Sequence, residues 1–172
     1  GALAADIGKF SDVSDNAWYA EAVDYAVGNG LFSGTSSTTF SPNASMTRAM
    51  FVTVLGRMSG LDGSTIQNNG QFADVDFDAY YGPSVIWAYE NGVVSGTSGT
   101  TFSPDTSITR EQIAVMIYRY LNSLDVQGPD NVETTPFQDA NQISSYAVKA
   151  VNAMQEWGFI AGSNGNYRPR DN

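Results

Sequence analysis

With 172 residues and 42% hydrophobic content, the chain is long enough to bury a core of its own. It contains no His and no Cys, which removes thiol nucleophiles, imidazole acid–base catalysis, disulfides and the usual zinc ligand sets from its own chemistry. A formal net charge of −10 argues against nucleic acid and anionic membrane surfaces as partners, and no apolar run approaches the ~18–20 residues that span a bilayer.

The first five residues include Ala2, Leu3 and Ala4, a small-x-small pattern that fits a signal-peptidase site; a flexible terminus or fragment edge is the other reading. Trp18, Ala22, Val23, Ala26 and Val27 then fall on one stripe of a 3.6-residue period, which predicts a helix. Asn29 and Gly30 supply its stop, since glycine takes the left-handed conformation without penalty. Leu31 and Phe32 make a two-residue apolar plug ahead of Ser33 and a turn glycine, Gly34. Thr38, Thr39, Phe40, Ser41 and Pro42 read as a short extended segment, too brief for a sheet of its own. Thr47 is placed to cap a second helix carrying Phe51, Val54, Leu55 and Met58. Met50 at the reciprocal position makes that cap the weaker of two.

The same string then returns. Phe10, Asp12, Val13, Gly30, Gly34, Phe40, Pro42, Thr47 and Arg48 recur as Phe72, Asp74, Val75, Gly92, Gly96, Phe102, Pro104, Thr109 and Arg110, a uniform shift of 62 from Phe10 to Phe72 onward. In this copy Thr109 and Gln112 form a capping box opening a helix predicted over 110–121, with Ile113, Met116, Ile117, Tyr120 and Leu121 on its apolar face. A third copy begins at Phe137 and Asp139, passes Tyr146, Val151, Gly158 and Gly162, and reaches Tyr167 and Pro169 without a third Thr-Arg pair. A period this long marks a repeat architecture whose units share a core. The expected division is 1–60, 61–125 and 126–172, the last incomplete, with all three packed as one domain.

This order of motifs (F-x-D-V, an aromatic followed by Ala-Val or Ser-Val, the G-x-x-x-G turn, the T-F-S-P step and the Thr-Arg pair) resembles the S-layer homology repeat over nearly the whole chain. The resemblance implies a mainly α fold, a pseudo-threefold assembly of helix–loop–helix repeats with short extended segments and a central helical bundle. It also implies an exported protein that anchors non-covalently to bacterial cell-wall polysaccharide, typically one carrying pyruvate ketals, held in clefts between neighbouring repeats. The family's T-R-A-E arginine, a principal contact to the pyruvate carboxylate, falls on Arg48 and Arg110. The remainder of that motif departs from the pattern: Thr47-Arg48-Ala49-Met50 in one copy and Thr109-Arg110-Glu111-Gln112 in the other.

A carboxylate on a sugar calls for a guanidinium fork, backbone N–H groups near a turn, and an aromatic face. Arg48 and Arg110 open their helices, where free N–H groups and the positive dipole end favour anions. The candidate ligand set is therefore Arg48, Arg110, Asp12, Asp74, Trp18, Tyr80, Ser33, Gly34, Ser95 and Gly96, with Tyr146 as a further aromatic wall. Simpler readings stand beside it: ion pairing of the arginines with Asp12 or Asp74, core packing of Trp18 and Tyr80, and helix capping by the aspartates. Arg57 and Arg119 read as structural cations at helix C-termini. Asp74, Asp76 and Asp78 open like a calcium loop, but Ala79 and Val85 stand where its Gly and Glu belong. No nucleophile or acid–base constellation is apparent, so the expectation is a binding module without enzymatic activity, cofactor or metal. The alternative function is a structural or assembly protein that uses the repeats, and a partner chain completing the third one, for protein–protein contacts.

Overall fold

A computed structural model describes residues 7–129 and 132–172; the Ala2–Ala4 motif lies outside the described residues. Five α-helices carry the fold: α1 (Ala20–Gly28), α2 (Arg48–Met58), α3 (Gly82–Glu90), α4 (Arg110–Ser123) and α5 (Val148–Glu156). Short 3-10 turns at Ile7–Lys9, Gly63–Thr65 and Ala140–Gln142 complete the regular structure. Among the described residues there is no strand, only isolated bridges such as Thr47 to Ser107. The predicted extended segments are thus loops, and the fold is mainly α.

Each repeat's first helix ends in the same way. Leu31 donates to Ala26 O and Gly30 to Val27 O, with Gly30 at φ 69°. The pattern recurs for Val93 and Gly92, and for Phe159 and Gly158. This paired closure satisfies the orphan carbonyls of the last turn and needs a residue in the left-handed region, which the sequence supplies as glycine. The second helices open on threonine. The Thr47 hydroxyl accepts the Met50 N–H at 3.2 Å. At Thr109 the box closes both ways, with Gln112 N donating to the Thr109 hydroxyl and Thr109 N to the Gln112 side chain.

The predicted stripe on α1 needs correction at Trp18 and at Ala22, both of which are exposed. The helix begins at Ala20, and Trp18 stands outside it at 94% exposure. Its neighbour Tyr19 is the residue that packs inward. Tyr80 and Tyr146 are likewise exposed, while Tyr81 and Ala147 turn into the body.

The core forms at repeat boundaries. α2 packs against α3, and α4 against α5. One cluster joins Ala49, Val52 and Leu55 of α2 to Val85 and Ala88 of α3, with Phe72, Phe102 and Ile108 around them. A second joins Ala114 and Val115 of α4 to Ala150, Val151 and Met154 of α5, closed by Phe137 and Tyr167. Full burial of such side chains stabilises by about 1.5–3 kcal/mol each. Around α1, a smaller cluster gathers Phe10, Val13, Ala20 and Val23. Ala22 of α1 is exposed where its counterpart on α3, Ser84, is buried.

Candidate functional site

Arg48, the first residue of α2, is only 4% exposed. Its guanidinium lies 4.8 Å from the Phe102 ring centroid, and its Nε donates to the Phe102 carbonyl at 2.9 Å. Arg110 repeats this geometry one repeat later, 5.0 Å from the Tyr167 ring and 2.9 Å from the Tyr167 carbonyl through Nε. The Thr-Arg pair of one repeat therefore reaches into the next.

A carboxylate fixes each receiving carbonyl. Asp74 accepts the N–H groups of Phe102 and Ser103 at 2.8 and 2.7 Å. Asp139 accepts those of Tyr167 and Arg168 at 2.7 and 2.8 Å, and Asp12 those of Phe40 and Ser41 at 2.8 and 2.7 Å. The second residue of each pair holds a positive φ: 61° at Ser41, 59° at Ser103 and 58° at Arg168. A carboxylate gripping two successive N–H groups holds that left-handed step in place. The N–H groups of Phe40 and Ser41 keep the Asp12 carboxyl below its ordinary range. Burial pushes the Asp139 carboxyl up, but the Tyr167 and Arg168 N–H groups outweigh it and the net shift is downward.

The aspartates are thus neither helix caps nor ion-pair partners of the arginines. The helices α1 and α3 start after Tyr19 and Tyr81. Among the described residues the one ion pair is Arg170 with Glu111, at 3.6 Å. The free helix-end donors expected beside the arginines are also occupied. Arg48 and Ala49 donate to Thr106 O and Pro104 O, and Arg110 and Glu111 donate to Asp171 O and Pro169 O.

Two clefts follow from this geometry. The larger, about 450 Å³, is lined by Arg48 from the first repeat and Tyr146 from the third. The second repeat contributes Ser95, Gly96 and Thr97 on one wall and Gln112, Met116 and Arg119 of α4 on another. Gly96 sits at φ 83°, and a Cβ there would meet Thr101 O at 2.5 Å and the Phe72 ring at 2.7 Å, so the turn is open only to glycine. The Ser95 and Gly96 N–H groups make no hydrogen bond among the described residues. Arg119 reaches Ser95 Oγ at 3.4 Å through Nη1. The smaller cleft, about 270 Å³, contains Arg110, Gly162, Ser163, Asn166, Arg168 and Asp171.

The two arginines differ in what they have left to offer. Arg48 uses only Nε in hydrogen bonds among the described residues, leaving its Nη pair unengaged. Arg110 also gives Nη2 to Ala161 O at 3.0 Å. Burial pushes the Arg48 guanidinium down from its ordinary value, with the Tyr146 phenol and the Asp74 charge opposing. Arginine nonetheless stays cationic at neutral pH. The arrangement offers a bidentate fork, unengaged backbone donors, a second cation and a phenol in one recess, the donor set for a carboxylate on a polar ring.

Of the sequence-derived candidates, Arg48, Ser95 and Gly96 share the larger cleft, and Arg110 lies in the smaller. Asp12, Asp74, Trp18, Tyr80, Ser33 and Gly34 line neither. Arg119 is the cleft residue that the sequence reading set aside. Its counterpart Arg57 donates to Leu31 O at 2.8 Å across 26 residues, much as Arg119 reaches Ser95 across 24, so position in the repeat gives no sign that Arg119 lines a cleft.

The motif order, the helix-to-next-helix packing and the repeated Thr-Arg geometry define a tandem-repeat surface module. Residues 9–50, 71–114 and 136–172 match the S-layer homology domain, and the chain belongs to that family. It is 34% identical over 164 residues to an endoglucanase of Bacillus sp. (strain KSM-635), a match covering 95% of this chain and 17% of the relative. It is 32% identical over 139 residues to the surface-layer 125 kDa protein of Lysinibacillus sphaericus, covering 78% and 11%. It is 30% identical over 132 residues to the cellulosome-anchoring protein of Acetivibrio thermocellus, covering 76% and 29%. The chain thus spans less than a third of the length of each of these relatives. Family and surface-layer relatives together indicate association with the extracellular cell wall. No described helix is long and apolar enough to cross a membrane.

Proposed function

We propose that the chain is a non-catalytic anchor that binds an anionic cell-wall polysaccharide, one bearing pyruvate ketals, through the clefts between its repeats. The observation that carries this reading is the Arg48 guanidinium: 4% exposed, stacked on Phe102, and with no carboxylate within 4.0 Å among the described residues. Its Nη atoms make no hydrogen bond among the described residues and are not sealed from solvent, so the guanidinium fork is open to a ligand carboxylate. Asp74 acts on this cation from beyond ion-pair distance, its carboxylate committed to the Phe102 and Ser103 N–H groups.

The ketal carboxylate takes the Arg48 Nη pair, the Ser95 and Gly96 N–H groups hold its second oxygen or a ring hydroxyl, and Tyr146 walls the sugar. Arg110 makes a second, narrower site, and two modest sites gain by avidity on a repetitive polymer. Trp18 and Tyr80 are exposed platforms for neighbouring sugars outside the clefts. Ser33 and Gly34 take the place of Ser95 and Gly96 wherever a further Thr-Arg helix meets the first repeat. Asp12 and Asp74 act indirectly, through the backbone that they clamp. The segments 1–60, 61–125 and 126–172 work as one body. The test is equilibrium binding to purified pyruvylated wall polymer and to the same polymer freed of its ketals by mild acid. Loss of at least tenfold in affinity is expected on ketal removal. Equal binding to both overturns the carboxylate reading, and binding to neither overturns the anchor.

A second reading, assembly through protein contacts, has one observation in its favour. Tyr25 on α1 is 67% exposed where Trp87 on α3 is half-buried, and no described helix lies on α1 as α2 lies on α3. The occupant that fits is a helix of the α2 and α4 type. Light scattering of the 172-residue chain decides it: a concentration-dependent dimer supports donation between chains, and a monomer at all concentrations removes it.

A further inference from the structure

Glu111 stands outside the repeat pattern. Its equivalent in the first repeat is Ala49, a core residue 1% exposed. Glu111 is itself only 2% exposed, yet its carboxylate is fully engaged with the third repeat. Oε2 accepts the Ser144 N–H at 2.9 Å, and Oε1 accepts the Ser144 hydroxyl at 2.9 Å and the Tyr146 hydroxyl at 3.3 Å. Arg170 closes the group, 3.6 Å from Oε1 through Nε and 3.0 Å from Ser144 Oγ through Nη2. Tyr146 is also the third repeat's contribution to the Arg48 cleft.

Resting on the anchoring reading above, we infer that Glu111 is a positioning residue for the Arg48 cleft: it holds the Tyr146 phenol, and so sets the wall against which the anionic sugar packs. A phenol so far exposed, at 55%, has several rotamers open to it, and a buried carboxylate is a strong acceptor that selects one. Ser144, two residues earlier, is gripped by both carboxylate oxygens, so the segment leading to the ring is fixed as well. Burial, the Glu111 charge and the hydrogen bond to it all push the Tyr146 phenol above its ordinary pKa. The consequence is a cleft whose cation, turn and wall come from three different repeats. Glu111 on α4 links the first two to the third.

The experiment follows the Arg48 Nε–H resonance during titration with a methyl glucoside carrying a 4,6-linked pyruvate ketal. Glu111→Gln should weaken binding about fivefold, Tyr146→Phe about threefold, and the double variant no more than about fivefold, because both remove one interaction. In a Glu111→Gln variant whose thermal midpoint matches wild type, the Tyr146 phenol should also titrate at lower pH, and the matched midpoint separates loss of the Glu111 charge from loosening of the body. Tyr146→Phe removes one hydroxyl from a side chain that is 55% exposed and keeps the test informative if Glu111→Gln folds poorly. Fully multiplicative losses in the double variant, an unmoved phenol titration, or an affinity in both single variants within about 1.5-fold of wild type would each overturn the assignment. Failure of the wild-type chain to bind the ketal overturns the anchoring reading itself, on which this one rests.

Discussion

The Arg48 and Arg110 clefts are built on one plan and are not equivalent. In both, an arginine at the start of a second helix stacks on an aromatic ring of the next repeat and binds its carbonyl through Nε. Around Arg48 the recess is about 450 Å³, carries a second cation in Arg119, and has no acid in its lining. Around Arg110 it is about 270 Å³ and Nη2 is already engaged; the lining has a second cation too, Arg168, but sets Asp171 beside it. The repeat fixes the scaffold, and residues private to one copy fix what that scaffold has left to bind with.

The sharpest way to break this comparison is to remove each arginine in turn. Arg48→Ala should cost about 2–3 kcal/mol in binding of pyruvylated polymer, roughly 30- to 150-fold, and Arg110→Ala no more than about 1 kcal/mol. Calorimetry at two salt concentrations checks it, and equal losses would make the clefts equivalent. Gly96→Ala comes next. It forces a left-handed alanine into Thr101 O and the Phe72 ring, and should destabilise the fold by about 2 kcal/mol and lower Tm by about 4–8 °C. Thermal unfolding measures this, and an unchanged Tm would mean that the turn relaxes.

Smaller effects are expected at the helix starts. Thr109→Ala should cost about 1–1.5 kcal/mol and Thr47→Ala about 0.5–1, because only Thr109 sits in a closed capping box. Chemical denaturation of the two variants compares them directly. The smallest effect comes from the aspartate clamps. Asp12 and Asp139 have lowered pKa values in the folded chain, so the unfolded chain binds more protons at mildly acid pH. Their contribution is fully present above about pH 5, and it fades as pH falls through 4 and below. Replacing both by Asn should flatten that acid limb of a stability-versus-pH curve; an unaltered limb would mean that other carboxylates set it.

Much of this was legible because it is local. The glycine stops, the Thr-Gln box and the start of α4 depend on residues within one or two turns of each other, while α4 runs to Ser123, two residues past the expected end. What escaped the sequence reading depends on long-range geometry. The aspartates find their partners 28 and 29 residues downstream, so they resembled caps or ion-pair partners when read locally. Trp18 fits an apolar stripe by spacing, yet the helix starts two residues after it and leaves it in solvent. Arg119 by sequence complements a helix dipole, since nothing in one dimension shows that the turn facing it forms the wall of a recess. Glu111 was noticed as a departure from the family motif; that its carboxylate reaches the third repeat required the fold.

Because each arginine stacks on the ring of the following repeat, recognition on the proposed anchoring reading lies at the junction and not in the repeat. A single repeat excised from the chain keeps its arginine and its turn but has no recess between them. Loss of the middle repeat would remove both present clefts and leave one new junction, between the first Thr-Arg helix and the third repeat, whereas inserting another copy beside it would add one. Specificity in such a protein is therefore inherited by adjacency: reordering the same three sequences would give new combinations of guanidinium, turn and wall with no change in composition.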